Sequence, residues 1–186
     1  MTMHKTIVLI LILLCSLNIL AQKKQEEYQI PRIENTGKYG FEKVIKIDNK
    51  SAKQLYDHIK SYLIKKHADN DFIIANEAKE LFDHGSFPAT FKVTNIQITY
   101  TILYTLSIKF KDNKFKLVLS DMKASTNSQG TTSEVPLENH FENMNALATG
   151  KKYAREMNES LSESIINGAN KLFVDIENSF AEKDEW

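Results

Sequence analysis

Residues 96–119 read IQITYTILYTLSIKFKDNKFKLVL, and the architecture follows from how that stretch alternates. Ile96, Ile98, Tyr100, Ile102, Tyr104, Leu106, Ile108 and Phe110 take every second position, separated by Gln97, Thr99, Thr101, Leu103, Thr105, Ser107 and Lys109. A period of two sustained over that length predicts a long strand with one buried face. Asp112-Asn113 then supplies a two-residue hairpin turn. Folding about it sets Phe110 opposite Phe115, Ile108 opposite Leu117 and Leu106 opposite Leu119, apolar against apolar on one face of an antiparallel pair.

Upstream, Leu81 to His84 and Phe87 to Val93 read as two short apolar pieces with a turn or bulge at Gly85-Ser86, and Phe72 to Asn76 as another. Pro88 cannot donate a ladder hydrogen bond and belongs at a sheet edge or an irregular spot. Earlier still, Ser51-Ala52-Lys53-Gln54 fits a capping box. Leu55, Tyr56, Ile59, Tyr62 and Leu63 follow at helical spacing, and Lys65, Lys66 and His67 stand where positive charge suits the helix dipole. Before that helix, Tyr39, Phe41, Ile45 and Ile47 alternate with polar residues as a first strand.

Downstream, Lys123 to Glu134 is rich in Ser, Thr and Asn and reads as an exposed loop, and Pro136 to Leu147 as an ambiguous segment compatible with a short helix. From Lys151 to Phe180 an apolar stripe runs through Tyr153, Met157, Leu161, Ile165, Ala169, Leu172, Phe173, Ile176 and Phe180. The expected fold is α+β: a curved antiparallel sheet of about five strands in the order β-α-β-β-β-β-α, with two helices packed on one face.

The N-terminus sets the expected compartment. Lys5 is followed by an unbroken apolar run from Ile7 to Cys15, then by Ser16, Asn18 and a small residue at Ala21. That is the order of a secretory signal peptide, with cleavage between Ala21 and Gln22. The run is shorter than the ~20 apolar residues a spanning helix needs. Leu13 and Leu14 stand where a lipoprotein signal would carry small residues before its cysteine. The reading divides the chain into a signal at 1–21, an extended leader at 22–38, one α+β domain at 39–182 and a tail at 183–186. Of the 186 residues, 186 less 21 leaves 165, enough for a single domain with its own core. Cys15 is the only cysteine and departs with the signal, so packing alone must hold the exported chain.

With 24 basic and 24 acidic residues, the chain lacks the basic excess that phosphate-gripping proteins show, and nucleic acid is not an expected partner. None of His58, His67, His84 and His140 stands at i,i+4 with another, so no metal site and no cofactor are expected. Ser86 follows a glycine but lacks the Gly-x-Ser-x-Gly elbow, and no catalytic residue can be named. Two weaker sites are expected. Gly150, Lys151, Lys152 and Arg155 open the long helix, where amide groups and positive side chains attract an anion. Tyr100, Tyr104, Phe110 and Phe115 either belong to the core or line an apolar pocket between sheet and long helix.

Particular residues carry a family resemblance. Gly40-Phe41-Glu42-Lys43-Val44-Ile45, then Ser51 and Gln54-Leu55-Tyr56, then Gly85-Ser86, then Tyr104 through Phe115 resemble an envelope family of Gram-negative bacteria. That family is a domain of unknown function with a TATA-box-binding-protein-like (TBP-like) fold. The resemblance covers roughly residues 39–125, and the helical tail fits by element order. Members carry a glycine and an arginine or aromatic just after the turn, where this chain has Asn113-Lys114-Phe115. The resemblance implies export and a compact α+β domain, and a fold name implies no DNA binding. The expected function is a non-enzymatic binding or interaction module of the periplasm or cell surface. Alternatives are a carrier of a small apolar or lipid-like ligand and, more weakly, an envelope hydrolase.

Overall fold

A computed structural model describes residues 29–66, 79–93, 96–128, 130–148 and 152–181. The signal peptide with its Ala21–Gln22 junction, the apolar piece Phe72–Asn76, and His67 lie outside the described residues. Among the described residues, five strands and three helices follow in the order β1 (Phe41–Lys46), α1 (Ala52–Lys66), β2 (Glu80–Val93), β3 (Ile96–Lys111), β4 (Lys114–Ser128), β5 (Thr131–Pro136), α2 (Leu137–Ala148) and α3 (Lys152–Asn178).

The β3–β4 hairpin is the centre of the sheet. Its register places Phe110 against Phe115, Ile108 against Leu117 and Leu106 against Leu119, as the alternation predicts. Asn113 takes the left-handed conformation the turn needs, at φ 64°. Strands run in the order β1-β4-β3-β2, all antiparallel, and β5 pairs with the far half of β4. β1 and β5 therefore follow one another along the same side of β4.

Near the middle of β4 the register steps: Leu103 pairs with Lys123, but Thr105 pairs with Ser120. Two steps along β3 match three along β4, so β4 holds one extra residue, a β-bulge. Asp121 sits there at φ 51°. The extra residue resets the alternation, so Phe115, Leu117 and Leu119 before it and Met122 and Ala124 after it all reach the core. Asp121 also pairs with Lys38 at 2.7 Å, which draws the segment before β1 onto the bulge.

α1 begins as the capping box predicts. The Ser51 amide donates to Gln54 Oε1 at 2.8 Å, and the Gln54 amide to Ser51 Oγ at 3.3 Å. Leu55, Tyr56, Ile59 and Leu63 turn inward. α3 buries Leu161, Ile165, Ala169, Leu172, Phe173 and Ile176. All three helices pack on one face of the sheet, the face that carries Leu81, Phe91, Ile102, Leu106, Ile108 and Leu117.

Four expectations change. Gly85-Ser86 is neither turn nor bulge: β2 is one strand with an unbroken register from Glu80 opposite Lys109 to Val93 opposite Ile96. Glycine is required because the Tyr104 ring lies where a Cβ would stand. Pro88 does sit on an edge strand. The loop expected at Lys123–Glu134 is instead the end of β4, a turn at Gly130 (φ 82°) and most of β5. A short third helix, α2, joins the two expected. Finally, Tyr153 is half exposed, because Ala154 and Asn158 take the inward positions at the start of α3. From the leader, Ile30 and Ile33 enter buried positions.

Candidate functional site

Of the expected anion site, Lys152 and Arg155 are among the described residues. Lys152 pairs with Glu156 at 3.5 Å and Arg155 with Glu159 at 3.9 Å, each one turn along the same exposed helix surface. Gly150 and Lys151 lie outside the described residues.

The expected apolar pocket is spread along the hairpin. Strand rise is about 3.3 Å per residue, so Tyr100 and Phe110 stand roughly 33 Å apart on β3. Phe110 and Phe115 pack at the turn end, 6.3 Å between ring centroids, with Tyr56 edge-on to Phe110 and Phe180 stacked on Phe115. Tyr104 lies mid-strand against Phe87. Tyr100 meets Phe91 and His140 near α2. Tyr104, Phe110 and Phe115 are buried core residues; Phe110 and Phe115 meet each other, while Tyr104 and Tyr100 meet other rings.

One buried acid was missed. Asp83 is 1% exposed and shares the core face with Leu81, Ala89 and Phe91. Burial pushes the nearby Tyr104 phenol well above the ordinary tyrosine value, and the Asp83 charge and Tyr62 add to the rise. Reading β2 as one strand reveals Asp83, because it falls in step with Leu81. Burial also pulls His140 below the ordinary imidazole range. Among the described residues no group of three or more His, Cys, Asp or Glu could hold a metal ion. Nor is any described helix long and apolar enough to cross a membrane.

The sheet's second face is the remaining surface. Among the described residues no helix packs on it, and its lattice follows from the registers. Lys46, Lys114 and Lys111 lie side by side on β1, β4 and β3. The next row is Val44, Lys116, Lys109 and Glu80, and the one after it Glu42, Val118, Ser107 and Phe82. Beyond these stand Ser120, Thr105 and His84. Lys116 pairs with Glu42 at 2.9 Å and Lys109 with Glu80 at 3.4 Å. Ser107 donates to Glu80 at 3.0 Å, and His84 Nδ1 lies 3.2 Å from the Thr105 hydroxyl. Val44 is 55% exposed. The face mixes paired charges, hydroxyls and part-exposed apolar groups.

Comparisons with known proteins agree with this architecture. The sequence profile of the domain of unknown function DUF4468, described as having a TBP-like fold, matches residues 41–125. None of the curated proteins matches. The structure is similar to the crystal structure of a TBP-like protein from Parabacteroides distasonis ATCC 8503, with a TM-score of 0.63 and 16% identity, covering 83% of this chain and 99% of that one. It is also similar to a DUF4468 family protein from Bacteroides ovatus ATCC 8483, with a TM-score of 0.58 and 16% identity, covering 84% and 93%. At that identity the likeness shows the fold. Residues 41–125 of this chain are therefore a DUF4468 domain, of unknown function and TBP-like fold.

Proposed function

We propose that this protein is an exported, non-enzymatic interaction module of the bacterial envelope, and that it holds another envelope component against the face of its sheet that no described helix covers. The observation that supports this reading is the face itself. Three helices fill one side of the sheet with the core, while the other presents a regular lattice of accessible groups from Val44 to His84. Export is supported by the signal-like order of Lys5, the apolar run and Ala21. The hydrolase alternative has no nucleophile or general base to name. The carrier alternative needs its aromatic residues to frame one cavity, and their spacing along β3 works against it.

Photo-cross-linking in the expressing cell tests the reading. A benzophenone side chain placed at Val118 on the open face should give an adduct with an envelope component, and one at Lys171 on α3 should not. Adducts from Lys171 alone, or a protein whose N-terminus is not processed and that stays in the cytoplasm, would refute it.

A further inference from the structure

Lys46, Lys114 and Lys111 face one another across three neighbouring strands. Lys116 and Lys109 in the next row have carboxylate partners, whereas no described carboxylate pairs with these three. Like charges directly opposite one another destabilise a ladder. The sheet thus keeps this row at a cost to its own stability. Stability given up at a defined surface spot points to function there.

We propose that this row, with exposed Val44 beside it, seats the open face on an anionic lipid surface. The inference rests on the interaction reading above and names the chemistry of the component contacted. Adjacent strands lie about 4.8 Å apart, so the three lysines form a line roughly 10 Å long on a surface that no described helix covers. Lysine is a compact point charge on a flexible stem, suited to phosphate groups. A bilayer asks for no shape complementarity, and each lysine near it contributes separately through the surface potential. A protein partner fits less well. Protein interfaces are depleted in lysine and draw their affinity from desolvated aromatic and arginine anchors. Neither of the two rows at this end contains an aromatic residue or an arginine. A second copy offering the acidic surface of α3 would meet the row head to tail, an arrangement that need not close, and Glu156 and Glu159 there already have partners.

Flotation with vesicles decides it, using the protein as purified from the expressing cell. The probes are phosphatidylcholine vesicles with and without phosphatidylglycerol. The expected result is binding only when the anionic lipid is present, weakening as salt is raised. Lys46→Gln, Lys111→Gln and Lys114→Gln should each weaken it about fivefold, and the triple variant roughly a hundredfold. A control triple, Lys65→Gln, Lys66→Gln and Lys171→Gln, makes the same charge change on the helical side and should leave binding near the wild-type level. Circular dichroism melting confirms that each variant is folded. Equal losses in both triples, or equal binding to neutral vesicles, would overturn the inference. So would a Val118 cross-link to an envelope protein in a chain that ignores anionic vesicles, and that outcome leaves the interaction reading standing.

Discussion

The Ala52 amide at the first turn of α1 donates a hydrogen bond to Asp112 Oδ1 at 2.8 Å, across 60 residues of chain. The hairpin turn thus caps the helix. Its neighbour Asn113 completes the joint: the Asn113 amide donates to the Lys50 carbonyl at 2.8 Å, and the Ile47 amide to the Asn113 carbonyl at 3.0 Å. The turn between the two central strands is therefore also the support on which the β1–α1 connection rests.

Removing that support should cost more than removing the local cap. Ser51 Oγ accepts at 3.3 Å and Asp112 at 2.8 Å, and a carboxylate at a helix N-terminus also gains from the dipole. Asp112→Ala is expected to lose about 1–2 kcal/mol and Ser51→Ala about half as much. Urea unfolding midpoints of the two variants check the order.

Gly85 and Ser86 should respond in opposite ways. A methyl at Gly85 meets the ring of Tyr104 inside the sheet–helix layer, and overpacking of that kind costs about 1–3 kcal/mol. Ser86 is exposed on the other face, where a change to alanine stays within about 0.5 kcal/mol. Thermal melts of Gly85→Ala and Ser86→Ala separate a continuous strand from a turn, in which neither change would crowd a ring.

His140 makes the fold sensitive to mild acid. Burial against Tyr100 and Phe141 lowers its folded pKa below the ordinary 6.5, so the unfolded chain takes up the proton first as pH falls. Stability is then full above about pH 6.5 and declines as pH drops from there through the folded value. His140→Phe should flatten that part of the stability–pH curve, measured by melting at intervals between neutral and mildly acidic pH.

The lysine row should be stabilised by the substitutions that disable it. Replacing Lys114, which is flanked by Lys46 and Lys111, with glutamate turns two unfavourable cross-strand pairs into favourable ones. A gain of roughly 0.5–1 kcal/mol is expected, with a higher melting temperature at low salt that converges on wild type at high salt.

Where polarity contrast is strong, the sequence is readable. The β3–β4 register, the capping box and most of the α3 stripe each follow from local spacing. The far end of the sheet lacks that contrast. From Lys123 to Glu134 few side chains are apolar, and the strands there are defined by pairing between β4 and β5 and by Lys123–Glu134 at 3.2 Å. Gly85-Ser86 misled because glycine suggests a turn, whereas here it makes room for a ring from the next strand. The bulge at Asp121 and the side of β4 taken by β1 depend on long-range packing. Two of the three lysines in the row are legible, since the hairpin places Lys111 against Lys114. Lys46 joins them only through the β1–β4 pairing.

Lysine acetylation in intact envelopes, read by mass spectrometry against the purified protein, tests the open face as a contact surface most directly. Lys46, Lys111 and Lys114 should react far more slowly in the envelope than after purification, while Lys65, Lys66 and Lys171 on the helical side keep their rates. Equal protection on both sides, or none at the row, would contradict the assignment of the open face as the contact surface.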